Sequence, residues 1–242
     1  MNEFNHSAFL RADETRRQIT LDASYRLAGS GLMLILCVLQ LVNLVQSLVG
    51  GYLASHVALS YLEEATHSVA FALSTFLLLL IAVIYGLYTY AFWRCHRGGK
   101  QRNWQMMFGG LKKLRVFLTI SLVSSALSIL SSLSEINSNP VEFIEAVFML
   151  VYYILLRKTV CAMIENAEAD SFHRQIPSGI PILLFIKVGF SVLTFVLENR
   201  TLQNAALTAV SILSLLVSLL IAICLTLLLN RYRELQNRSN DS

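Results

Sequence analysis

Lys187 is the one basic residue inside a long apolar run of this chain, flanked by Ile186 and Val188. An ammonium in hydrocarbon needs an oxygen partner or a route to water, so an ionisable residue in such a run marks a binding or proton-relay site by default. Counted from Pro181, it stands about 9 Å along a helix. A lysine stem can cover much of that distance and place its charge among lipid headgroups, and snorkelling is therefore the expectation. A substrate or proton site is the alternative. Glu145 is the tempting acid partner, but it enters from the opposite end of the bundle, so no direct pair is expected.

The first apolar run carries three amides, Gln40, Asn43 and Gln46, followed by Ser47. At 100° per residue, Gln40, Asn43 and Ser47 share one helix face within about 60°. Amides in lipid need partners, so this face should point into the bundle or into an oligomer. Interhelical hydrogen bonds worth about 0.6–2 kcal/mol each are the expected role. A polar lining for a solute path is the sharper alternative. Ser121, Ser125, Ser128 and Ser132 form a stripe on one later run, and Thr208, Ser211, Ser218, Ala222 and Thr226 on another. Small side chains let backbones approach closely, which is the usual role of such stripes where no hydrophobic force separates helix from lipid.

Other chemistry has no signature here. The chain lacks a phosphate-binding glycine loop, an H-E-x-x-H pair and a G-x-S-x-G elbow. Its histidines lack metal-ligand spacing, and His56 and His67 read as loop residues. Glu165, Glu168 and Asp170 resemble a solvated helix face without a convergent His or Arg. An enzyme is the least favoured class, and no metal or cofactor is expected. Asn199, Arg200 and Thr201 match a glycosylation acceptor, but too close to the bilayer to carry weight.

The elements that must position these residues are set by hydropathy. The 242 residues are 55% hydrophobic and 14% charged, against roughly a quarter charged in an average soluble domain. Apolar runs cover residues 27–49, 68–93, 116–133, 141–156, 182–197 and 205–229. A helix of about 20 residues crosses the roughly 30 Å hydrocarbon layer, and helix is required because lipid offers no partner to an open backbone. The fourth and fifth runs are short and would need flanking residues or local thinning. The expected fold is an all-α, polytopic transmembrane bundle of six predicted spans. Residues 1–26 form an N-terminal arm without a signal-peptide pattern, and residues 230–242 a tail.

Lysine and arginine alternate from loop to loop. Arg11, Arg16, Arg17 and Arg26 precede the first run. Arg94, Arg97, Lys100, Arg102, Lys112, Lys113 and Arg115 follow the second. Arg157, Lys158 and Arg174 follow the fourth, and Arg231, Arg233 and Arg238 the sixth. Only Arg200 lies in an intervening loop. Such a bias predicts both ends in the cytoplasm and an even number of spans. Trp93 and Trp104 fall at the predicted inner interface, as an aromatic belt should.

The stretch 94–115 reads as a cytoplasmic loop. Its second half could lie as an interfacial helix, with Lys112, Lys113 and Arg115 toward anionic lipid headgroups. The pairs Gly50-Gly51, Gly98-Gly99 and Gly109-Gly110 read as turns. No cysteine falls in an exterior loop, and Cys95 and Cys161 are weak candidates for acylation. No basic block sits on a polar, foldable domain, which argues against nucleic acid.

Sparse intramembrane charge and no soluble domain suit a non-catalytic subunit, an assembly or regulatory component of a membrane complex. The partners expected are the lipid bilayer and either another membrane protein or further copies of this chain. A small oligomeric permease or channel is the alternative, and it would use the amides and Lys187. The charge bias suits a bacterial inner membrane, with a eukaryotic endomembrane as the other location.

Overall fold

The computed structural model describes residues 21–59, 64–133, 140–168, 174–199 and 205–240, all helical apart from short connections. Helix α1 covers residues 21–28, and six longer helices follow. They are α2 (Gly31–Leu59), α3 (Glu64–Lys100), α4 (Trp104–Ser132), α5 (Pro140–Glu168), α6 (Ile180–Asn199) and α7 (Ala205–Asn240). Each packs against its neighbour in sequence, and α7 returns to pack on α2. The six therefore close into an up-and-down ring. Five of them are long and apolar enough to cross a membrane by length and composition, while Ile180–Val196 falls short of that measure. The outside of the ring is studded with exposed Leu34, Ile35, Val38, Leu79, Val83, Leu127, Leu130, Val192 and Leu216. An apolar coat of this extent is consistent with a membrane protein, where lipid rather than water covers it.

The helix ends have local causes. Ser30 opens α2, its Oγ accepting from the Met33 amide at 3.4 Å. Asn103 caps α4, its Oδ1 accepting from the Met106 amide at 3.0 Å, the usual means of satisfying a free first-turn donor. Proline opens α5 at Pro140 and stands in the first turn of α6 at Pro181, where its missing N–H costs nothing.

Between α3 and α4 only residues 101–103 intervene, so the stretch 94–115 is not a loop. It is the ends of two long helices joined by a tight turn. The expected interfacial helix is instead the first turns of a continuous α4. Arg102 holds the turn in the left-handed region at φ 51°. Its guanidinium bonds the Asp22 carboxylate at 2.8 Å, and Arg26 pairs with the same carboxylate at 2.8 Å. The hairpin is thereby tied back to α1.

The glycine pairs are not turns either. Gly50-Gly51, Gly98-Gly99 and Gly109-Gly110 all lie inside helices, where two of the pairs allow close approach. A Cβ on Gly99 would strike the backbone of Ala28 and Gly29, and one on Gly110 would lie 2.6 Å from Cys95 Sγ and 2.8 Å from the Ala91 carbonyl. Cys95 is buried beneath Gly110, so its thiol is not offered for acylation.

Two further extensions go beyond the hydropathy runs. Helix α5 continues through Glu168 and α7 through Asn240, and both remain packed, with Thr159, Asn166, Tyr232 and Gln236 buried. Residues Arg11, Arg16, Arg17, Glu63, Glu135, Asp170, Arg200 and Thr201 lie outside the described residues.

Candidate functional site

A cavity of about 70 Å³ lies in the middle of the ring, and polar residues from five of the six long helices meet there. Helix α2 contributes Gln40 and Asn43, and α3 contributes Tyr85 and Tyr88. Tyr152 and Tyr153 come from α5, Lys187 from α6 and Ser218 from α7. By the helical rise, Asn43 stands about 18 Å from the start of α2, and Ser218 about 20 Å from the start of α7. Both are well inside helices that are longer than a bilayer is thick.

Lys187 does not lie along the outside of the bundle toward a headgroup layer. Its Nζ sits 5.3 Å from the centre of the Tyr152 ring, an aromatic face that attracts a cation electrostatically. Among the described residues no carboxylate lies within ion-pair distance of it. Glu145 is held elsewhere on the same seam, its Oε2 accepting from the Thr194 hydroxyl at 3.2 Å. Thr194 is two turns from Lys187, about 10 Å along α6. Phe148 and Phe190 pack between these two contacts with ring centres 5.1 Å apart. Helices α5 and α6 thus meet through large side chains, and they approach less closely than any other neighbouring pair of the ring.

Aromatic packing holds the tyrosines. Tyr88 stacks on Phe117 at 4.0 Å and meets Phe92 edge-on at 4.9 Å. Tyr152 and Tyr153 are in edge contact at 5.2 Å, and the Tyr153 hydroxyl shares a hydrogen bond with the Ser121 side chain. Tyr85, Tyr88, Phe117, Tyr152 and Tyr153 all line the cavity, so these ring contacts are part of its wall.

Gln46 is separate from this group. It is 7% exposed, yet neither its amide nitrogen nor its amide oxygen has a hydrogen-bond partner among the described residues. Of the candidate residues, Lys187, Gln40 and Asn43 are brought together, whereas Gln46 and Glu145 are not. Of the small-residue stripes, Ser218 and Ala222 reach the cavity wall. Ser125 and Ser132 are buried, with hydroxyls bonded back to the carbonyls of Ser121 and Ile129.

A second cavity, of about 130 Å³, adjoins the first on the side of the basic helix ends. The two share Tyr88, Leu156 and Leu225 as wall. It is almost wholly apolar, walled by Met33, Phe92, Met107, Val160 and Leu228 among others, and ends at Asn166 and Tyr232. Asn166 closes this end of the bundle. Its Nδ2 donates to the Arg174 carbonyl at 2.8 Å and to the Tyr232 hydroxyl at 3.0 Å, and its Oδ1 accepts from the Arg174 amide at 2.7 Å. Gln236 donates to the same carbonyl at 2.6 Å, and Arg233 to that of Pro177. The segment before α6 is thereby strapped across the ends of α5 and α7.

Comparison with protein-family models, curated proteins and solved structures finds no match for this chain. The reading of function rests on the site alone. Reasoning from sequence missed the tyrosines and Asn166. A search for every hydroxyl and amide inside the helices, rather than for charges and amides within the hydropathy runs, would have found both.

Proposed function

We propose that the chain is a six-span membrane protein with its basic end in the cytoplasm, and that it binds and passes a small monovalent anion through the centre of the ring. In this reading α6, 20 residues long and so about 30 Å, serves as the sixth span. The positive-inside bias sets the orientation.

The observation that carries the proposal is the convergence of Lys187, Gln40, Asn43 and four tyrosines on one mid-bundle cavity. A lone ammonium inside a membrane bundle is stabilised by an anion, and amide N–H and phenolic O–H groups can donate to the same anion. The subunit reading gives these groups only the work of holding helices together. Glu145, the acid on the adjoining helix, is bonded to Thr194 and leaves the Lys187 charge to be met by another anion.

The test uses the purified full chain fused into solid-supported membranes, with charge movement recorded on addition of nitrate or acetate. A transient current that is lost in Lys187→Ala and Asn43→Ala, with expression and assembly intact, is the expected result. An undiminished current in Lys187→Ala overturns the proposal. Absence of current together with stoichiometric foreign subunits in the native assembly would return the protein to the subunit class.

A further inference from the structure

The polar cavity and the apolar cavity share Tyr88, Leu156 and Leu225 as a common wall. Resting on the anion reading above, we infer that the ligand is a monocarboxylate whose apolar body is about the size of a benzene ring. Charge limits the head. Among the described residues Lys187 is the single cation on the polar cavity, so one negative charge is balanced, and a dianionic phosphate would bury an uncompensated charge. No arginine is among the described residues of the cavity wall to grip a phosphate bidentately.

Shape and polarity define the rest. The second cavity begins where the first ends, at Tyr88, Leu156 and Leu225. Its volume of about 130 Å³ is close to that of an engineered apolar cavity, roughly 150 Å³, that stays dry and accepts benzene. A bare inorganic anion would leave this space unused. A neutral aromatic would leave Lys187 without its counter-ion. A carboxylate at Lys187, with its ring passing Leu156 into the space lined by Phe92 and Val160, satisfies both. The Asn166 strap then forms the floor beneath the ring.

The experiment is calorimetric titration of the full-length protein in nanodiscs with benzoate, acetate and benzyl alcohol. Benzoate is expected to bind at one site per chain, at least about tenfold more tightly than acetate, as an added apolar group in a fitted pocket should. Lys187→Gln should weaken benzoate by about tenfold or more. Val160→Phe, which fills the apolar cavity, should bring benzoate down to the level of acetate. Met163→Phe offers the same fill from another wall should Val160→Phe not assemble.

Acetate binding as tightly as benzoate, with loss in Lys187→Gln, would overturn the composite site and leave the anion reading standing. Benzyl alcohol matching benzoate, with Lys187→Gln unaffected, would overturn both. No binding of any of the three probes would do the same.

Discussion

At the basic end of the ring nearly every helix contributes buried side chains: Leu36 and Cys37, Ala91 and Cys95, Leu114 and Leu118, Val160 and Asn166, Ile180 and Leu184, Leu228 and Tyr232. Toward the opposite end the pattern changes. Residues 68–87 of α3, 185–196 of α6 and 205–216 of α7 include no buried residue. This loose half is rich in Leu, Val and Phe, so the difference is one of geometry and not of lacking apolar side chains. In the basic half glycines let α1, α3 and α4 approach to backbone contact, and a buried asparagine straps the ends of α5 and α7. In the other half large aliphatic side chains face outward without interlocking. The lesson is that hydropathy holds a helix in lipid, but small residues and satisfied polar groups hold helices to one another.

The largest expected effect comes from a methyl group placed at the tight end. Gly99→Ala would drive a Cβ into the backbone of Ala28 and Gly29, and should cost about 3 kcal/mol or prevent assembly, as overpacked cores do. Gly189→Ala, whose Cβ meets nothing, should change stability by less than about 1 kcal/mol and in the favourable direction. Thermal or detergent-induced unfolding of both variants measures the contrast, and equal losses would break it.

A smaller effect is expected at the strap. Asn166→Ala removes both the donor and the acceptor that meet Arg174, at a cost of about 1–3 kcal/mol for the groups left unpaired. Hydrogen exchange should speed up at the Arg174 amide and through residues 176–180 while amides of 205–216 keep their rates. Equal acceleration in both regions would mean that the two halves open as one unit.

The smallest effect belongs to the loose half. Gln46 is buried there with an unpaired amide, so Gln46→Leu should be neutral or raise stability by about 1 kcal/mol. A clear loss in the same unfolding measurement would show that the amide has a partner in the assembled protein.

Much of the architecture is legible along the chain, and the places where it is not are instructive. The apolar runs located each long helix, but their ends were drawn short because charge was taken for solvent. Arg94, Arg97 and Lys100 lie on the last turns of α3, and Lys112 and Lys113 on α4, where the two lysine ammonium groups meet aromatic faces. The Lys112 ammonium sits 4.2 Å from the Phe108 ring, and that of Lys113 5.5 Å from Tyr90. A helix continues through charged residues when their apolar stems have somewhere to lie. Glycine pairs were taken for turns for a related reason, since a close approach and a turn use the same residue and differ only in what stands opposite.

The site was half legible. The face shared by Gln40 and Asn43 follows from helix geometry within one segment, and both amides do line the cavity. Their counterpart face, with Tyr85, Tyr152 and Lys187, is spread over three other helices and no single segment shows it.

The sequence by itself determined the helices, their apolar coat and the gathering of basic charge at one end. Each of these follows from local backbone satisfaction and from transfer of side chains between water and lipid, which every residue experiences separately. Only the tertiary structure decided that Lys187 faces Tyr152 and the amides rather than lipid, that Glu145 takes Thr194 instead, and that an apolar cavity adjoins the polar one. Those outcomes depend on the rotation of each helix about its axis and its offset along its neighbours, and these are set by the packing of the whole ring.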